Sequence, residues 1–173
     1  TWTYSLNTAT LSDGAHTIRA RATDNAGNLE STATLIINVD NTTPSASVTA
    51  DCPSMGNDNW CRTPLNVVVS GGAGGSGLQS LVYSYNGSAT TISTGSASFG
   101  APATGSVEVY ATNKLGRRSP TQLESFKVDG AGPTIEFRGA TRGQINVKVS
   151  DSESGVKRWT IQIFNAQGQS VFW

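Results

Sequence analysis

The 173-residue chain is poor in charge and nearly lacks histidine. It carries 12 basic and 12 acidic residues, 14% of the sequence against about 25% in an average protein, so the net charge is zero. Phosphate binding needs a basic surface, and we therefore expect no nucleic-acid partner. No apolar run approaches the roughly 20 residues that cross a bilayer, so we also expect no membrane span.

The single histidine, His16, limits the catalytic schemes available to the chain. Ser12 and Asp13 lie close to it and suggest a catalytic triad, but an Asp-Gly turn before a strand accounts for all three residues. The nearest acidic pair, Asp151 and Glu153, falls in a turn, without the facing cleft that a glycosidase needs. We predict that the protein is not an enzyme.

Cysteine is also scarce, because only Cys52 and Cys61 are present. Eight residues separate them, whereas a redox pair needs two, and two cysteines with one distant histidine do not match zinc spacing. We predict a structural disulfide that closes a loop and indicates an oxidising compartment.

What the chain does contain is a repeat. Ala22-Thr23, Gly27, Asp40 and Pro44 recur as Ala111-Thr112, Gly116, Asp129 and Pro133, each displaced by 89 positions (111−22, 116−27, 129−40 and 133−44). A fixed period of this kind indicates a repeat array. One complete unit therefore lies between two partial ones.

Short runs of alternating apolar and polar residues follow one another at intervals of 8–12 residues, with turn signals such as Asn86-Gly87 between them. No stretch shows a helical period. We predict an all-β sandwich with strands near residues 1–8, 16–23, 29–40, 46–50, 65–70, 78–85, 89–93, 106–112, 123–129, 134–138, 145–150 and 157–165. Trp159 is in phase with Ile161 and Ile163, which predicts a core position for its side chain.

The middle unit contains an insertion. Val147 and Val149 correspond to Val67 and Val69 at an offset of 80, so about nine extra residues separate the first two strands of the middle unit. The two cysteines bracket this stretch, and we expect the bridge to restrain it.

The pattern resembles the tandem bacterial Ig-like repeats of large surface and secreted proteins. The resemblance rests on Ser12–Ile18, Ala22–Asn28, Val39-Asp40 with Pro44, and Asp151–Val156. It weakens in the middle unit, where the glycine-rich segment Gly71–Gly75 stands in place of an expected aspartate. It implies tandem Ig-like β-sandwiches, with residues 1–41 as the C-terminal half of a domain. Residues 42–130 would form a complete domain with a disulfide-bridged insertion, and residues 131–173 the N-terminal half of another.

Two weaker binding features accompany this division. Trp60, in the insertion, is the one tryptophan we expect to be exposed, and stacking on a sugar is the alternative to packing. Calcium takes six to eight oxygens, whereas Asp151 and Glu153 in their turn, and Asp40 and Asp129 at the junctions, offer one or two carboxylates each. We predict no cofactor and retain these four residues as the calcium candidates.

Neither partial unit has the second sheet that it needs to cover its apolar face. We therefore expect an extracellular or cell-surface bacterial protein that assembles with copies of itself, head to tail, into a filament or stalk, as the split domain is completed across chains. The alternative is a fragment of a long monomeric adhesin that binds a glycan or a surface protein. Joining the end of the chain to its start, Trp173 to Thr1, continues an alternating strand pattern.

Overall fold

The computed structural model describes residues 1–141 and 143–172, whose regular structure is almost entirely β. Within these residues there are a 3-10 turn, Thr8–Thr10, and fourteen strands. In chain order the strands are β1 Gly14–Ala20, β2 Ala33–Val39, β3 Ser45–Asp51, β4 Trp60–Cys61, β5 Leu65–Gly72, β6 Leu78–Tyr85, β7 Ser88–Ile92, β8 Ser96–Ala101, β9 Gly105–Asn113, β10 Gln122–Val128, β11 Thr134–Thr141, β12 Gln144–Ser150, β13 Ile163–Phe164 and β14 Ser170–Phe172.

The contacts group the chain into two compact units. The first contains residues 1–51, 66–100 and 105–125, and the second contains residues 52–65, 101–104 and the chain from residue 126 onwards. The repeat boundaries after residues 41 and 130 divide the chain on another basis, and they stay a prediction.

The first unit contains a β-sandwich, as the sequence predicted. One sheet has the order β3-β5-β8, and the other includes β10-β9-β6-β7. The ring of Tyr83 on β6 stacks on Phe99 of β8 with 5.2 Å between centroids, which joins the two layers. Alternate residues of both sheets fill the core, where the fully buried apolar side chains are Val67, Val69, Leu81, Val107, Val109 and Ala111.

The same unit holds a separate two-stranded sheet, in which β1 pairs antiparallel with β2 from Gly14↔Val39 to Ala20↔Ala33. His16 and Ile18 are half-buried, and Val39 is buried at the junction with the sandwich. Ala20 and Ala22 alternate with Arg19 and Arg21, as core-facing residues of a strand would, but they are exposed, because no second sheet covers them in the described residues.

The second unit is built from small sheets. β4 pairs parallel with the end of β10, β11 pairs with β12, and β13 pairs with β14. Cys61, Leu65, Ala101 and Val128 are its buried apolar residues.

Two predicted strands are wrong in extent. Residues 1–7 form no strand, and Trp2 is 99% exposed; residues 157–162 are likewise outside any strand, and only Ile163–Phe164 of that stretch pairs. Both stretches lack a neighbouring strand to supply hydrogen bonds, and an alternating pattern alone does not form a ladder.

Three observed strands, β4, β8 and β14, lie outside the predicted ranges. β8 has the sequence Ser-Ala-Ser-Phe-Gly-Ala, whose small residues have low strand propensity, and packing of Phe99 against Tyr83 outweighs that preference. Among the described residues, no helix has the length and apolar character needed to cross a membrane.

Candidate functional site

The insertion of the middle unit is a closed loop. Cys52 and Cys61 form a disulfide with 5.8 Å between their Cα atoms, which confirms the predicted pairing. Asp58 and Asn59 at the tip adopt left-handed backbone, which these two residue types tolerate better than most. The N–H of Asp129 donates to the carbonyl of Cys61 at 2.8 Å and ties the loop to the end of β10.

Trp60 lies half-buried in this loop rather than exposed. The ammonium of Lys127 is 5.6 Å from the centre of its ring, within cation–π range. Trp60 also lines a shallow cleft together with Arg62, Asp129, Ser154 and Lys157. The tryptophans with the greatest exposure are Trp2 and Trp159, contrary to expectation, and Trp173 lies outside the described residues.

The junction aspartates Asp40 and Asp129 make the same contacts in successive repeats. Asp40 accepts the backbone N–H of Thr42 at 3.1 Å and of Ser76 at 2.9 Å, and Asp129 accepts those of Ala131 at 3.0 Å and Ser154 at 3.2 Å. Each carboxylate therefore fixes its own junction and the loop after the second strand of the repeat that follows.

Hydrogen bonds keep both of these carboxylates ionised. The pKa of Asp40 lies below its ordinary value because of the Ser76 hydroxyl, followed by the Ser76 backbone N–H. The pKa of Asp129 is lowered in the same way, mainly by Ser154.

Three of the four calcium candidates come together. Asp129, Asp151 and Glu153 each offer a carboxylate oxygen within 4.8 Å of the others, whereas Asp40 belongs to the contacts described above. Asp151 is already engaged, since it accepts the N–H of Gly155 at 2.7 Å. This geometry does not test calcium binding, and the expectation of no cofactor stays a prediction.

The residues around His16 do not form a catalytic triad. The Nε2–H of His16 donates to the backbone carbonyl of Ser12 at 2.7 Å. The Asp13 carboxylate instead accepts hydrogen bonds from the Thr42 hydroxyl and the Asn41 backbone N–H, and these lower its pKa, the Thr42 bond most of all. The hydrogen bond of His16 therefore stabilises the turn before β1, and those of Asp13 connect this turn with the junction after β2.

In three hairpins the side-chain oxygen of the first residue accepts two backbone N–H groups of the turn. We did not predict this shared feature. The Oδ1 of Asp24 accepts the N–H of Ala26 and Asn28, that of Asn113 accepts Leu115 and Arg117, and that of Asn165 accepts Gln167 and Gln169. The detectable signal is an Asp or Asn three residues before a glycine, at Gly27, Gly116 and Gly168.

The last segment of the chain exposes large apolar side chains. Trp159 is 56% exposed, although the sequence predicted a core position. Further large apolar side chains of the last segment are exposed as well, namely Ile135, Phe137, Ile145, Ile163, Phe164 and Val171. Several large apolar side chains of this one short segment are therefore exposed to solvent.

The fold defines an all-β sandwich protein. A family model described as the bacterial Ig-like domain matches residues 1–41, the partial unit at the start of the chain. No curated protein matches the chain. The match supports the resemblance for this segment, and an Ig-like sandwich is typically non-enzymatic.

Proposed function

We propose that the protein is an extracellular structural protein whose Ig-like sandwiches assemble head to tail into a filament or stalk, each joint being a split domain completed across two chains. The bacterial Ig-like match over residues 1–41 and the Cys52–Cys61 disulfide support an extracellular or surface location.

The observation that carries the proposal is the exposure of Trp159. Gly77 and Gly155 follow the two serines that donate to the junction aspartates, so Leu81 and Trp159, each four residues later, occupy equivalent places. Leu81 is 0% exposed. Burying a large apolar side chain stabilises a protein by about 1.5–3 kcal/mol, and the last segment exposes several of them. A second chain that supplies the missing strands would bury these side chains and pair the open strand edges together.

Such a contact is heterologous, since the end of one chain meets the start of the next. A heterologous contact propagates into a fibre unless the rotation between neighbouring chains closes a ring. Linear fibres follow from this geometry, with a repeat of about two sandwiches: the complete domain and the joint.

Sedimentation velocity and electron microscopy of the purified chain test the proposal. We expect species several times larger than the 18.0 kDa chain, and fibres in micrographs. Trp159→Lys should leave monomers, because it puts a charge into the joint. The matched control is Leu123→Lys, which alters an equally exposed leucine (60%) on β10 of the complete domain and should assemble normally. A monodisperse monomer at every concentration contradicts the proposal.

The second candidate function, adhesion by a long monomeric protein, draws support from Trp60 and its cleft. A half-buried indole beside basic and acidic side chains is a common way to hold a sugar ring. A glycan array would detect binding that Trp60→Ala abolishes and Trp2→Ala preserves. Binding of no glycan removes this candidate.

A further inference from the structure

The complete domain of this chain shows how a front half and a back half of the repeat meet. β6, from the front half, pairs antiparallel with β9, from the back half. Leu81 lies opposite Ala111, Tyr83 opposite Val109 and Tyr85 opposite Val107. Leu81, Val107, Val109 and Ala111 are all 0% exposed, so this pair of strands forms the centre of the core.

The start of the chain repeats the back half at an offset of 89. The bridge Thr23↔Leu29 corresponds to Thr112↔Arg118, and β2 corresponds to β10 residue for residue (33+89=122 and 39+89=128). The hairpins agree as well, since the N–H of Asp24 donates to the carbonyl of Asn28 as that of Asn113 does to Arg117. Val107, Val109 and Ala111 therefore correspond to Ile18, Ala20 and Ala22.

The end of the chain repeats the front half at an offset of 78 in this region. Ser76 and Ser154 both donate their N–H to a junction aspartate, and the glycines that follow, Gly77 and Gly155, have φ of 79° and 78°. Leu81 therefore corresponds to Trp159, Tyr83 to Ile161 and Tyr85 to Ile163 (159−81, 161−83 and 163−85).

We infer that residues 159–163 of one chain pair antiparallel with residues 18–22 of a second copy, with Trp159 opposite Ala22, Ile161 opposite Ala20 and Ile163 opposite Ile18. This inference rests on the proposed cross-chain joint and specifies its register. It also accounts for the absence of a strand at residues 157–162, whose hydrogen-bonding partner lies in another molecule.

Side-chain volume fits this register. The complete domain sets Leu81 between Ala111 and Val109, and the joint sets the larger Trp159 between Ala22 and Ala20. At the joint Ala20 takes the place of Val109. Alanine has two methyl groups fewer than valine, and their loss makes room for the indole ring of Trp159. Exchanges that conserve total volume are the ones that cores accept best.

Charge fits as well. The outward-facing Arg21 and Arg19 lie opposite the neutral Thr160 and Gln162, so no like charges face each other. Leu78 pairs with Asn113 in the complete domain, so the corresponding residues Val156 and Asp24 lie opposite each other at the joint. This pairing brings the basic Lys157 close to the hairpin that begins at Asp24. A second copy therefore suits residues 159–163 in shape and in charge, whereas the hairpin end of the joint would bring Asp24 near the like-charged Asp129, by analogy with Asn113 and Asp40.

Disulfide trapping between two single-cysteine chains tests the register. The chain has no free cysteine, so Arg21→Cys and Thr160→Cys, made in separate chains and mixed, supply the only new thiols. Facing residues in antiparallel strands are within disulfide reach. The control mixture replaces Arg21→Cys with Thr17→Cys, on the same strand face but displaced by four residues, about 13 Å.

We expect the Arg21 and Thr160 mixture to give about tenfold more disulfide-linked dimer than the control mixture. Equal yields in chains that do assemble overturn the register and leave the assembly proposal intact. If no mixture is trapped and sedimentation shows only monomers, the assembly proposal itself fails, and the register fails with it.

Discussion

The side-chain amide of Asn113 donates a hydrogen bond to Oδ2 of Asp40 at 3.2 Å, although 73 residues separate the two. Asn113 begins the hairpin after β9, and Asp40 ends the preceding repeat. This bond therefore connects a back-half hairpin with the junction at which its own domain starts, and it provides a template for the proposed joint.

At the proposed joint two acids would take this place. Asp24 corresponds to Asn113 and Asp129 corresponds to Asp40, and hydrogen bonds lower the pKa of both carboxyls. We predict that Asp24→Asn strengthens assembly in buffer that contains a chelator, because the amide replaces a like-charge contact with a hydrogen bond. Sedimentation velocity would show a lower concentration threshold for assembly. Asp58→Asn, on the bridged loop, is the control, and weaker assembly of Asp24→Asn contradicts the prediction.

The second prediction concerns acid stability. A carboxyl whose pKa is lowered by folding stabilises the native state above its ordinary pKa of 3.8, and this contribution is lost as the pH falls through the lower native value. We therefore expect the melting temperature of the protein to fall steeply as the pH is lowered below 3.8. Ser76→Ala removes the largest cause of the shift in Asp40, so its NMR titration should move up towards the ordinary pKa. Ser88→Ala, an exposed serine on β7, should leave the Asp40 titration unchanged.

The third prediction concerns Gly71, which lies in the segment where the resemblance led us to expect an aspartate. A Cβ built on Gly71 would lie 2.6 Å from Cδ1 of the fully buried Leu81 and 3.1 Å from the Cβ of Ala111. We expect Gly71→Ala to destabilise the complete domain by about 1–3 kcal/mol through overpacking. Denaturant unfolding in the Trp159→Lys background, which keeps chains apart, measures this. Gly100→Ala, with nothing within 4 Å, should change stability far less.

The fourth prediction concerns the bridge. Cys52 and Cys61 close a loop with a sequence separation of 9, for which chain entropy predicts a contribution of about 2.5–3 kcal/mol. The double variant Cys52→Ser with Cys61→Ser should lose stability of this order in the same unfolding assay. A loss close to zero would mean that the hydrogen bonds from Gly56 to Trp60 and from Arg62 to Ser54 hold the loop by themselves.

Much of the fold is predictable from local patterns. β6 coincides with its predicted range, and β3, β5, β7, β9 and β10 lie within two residues of theirs. The hairpin at Asn86-Gly87 has the positive φ values, 47° and 84°, that its sequence indicates. These elements are local, because turn residues and period-two alternation specify them without reference to distant parts of the chain.

The junction contacts and the exposure of the tryptophans were not predictable in this way. Asp40 was retained as a calcium candidate, whereas its carboxylate accepts hydrogen bonds from Ser76 and Asn113, which are 36 and 73 residues away. Trp159 has the correct phase for a core, but phase does not state whether a facing sheet is present. Trp60 has no phase at all, and its partial burial depends on Lys127 in a different strand.

The sequence by itself determined the repeat period, the sandwich class, the disulfide and most strand ends, since each depends on spacing or on residues adjacent in the chain. Only the tertiary structure decided which carboxylates secure the junctions, which glycine makes room for Leu81, and which apolar side chains stay exposed. These depend on contacts between residues far apart in the chain, and no local pattern records what lies on the other side of a sheet.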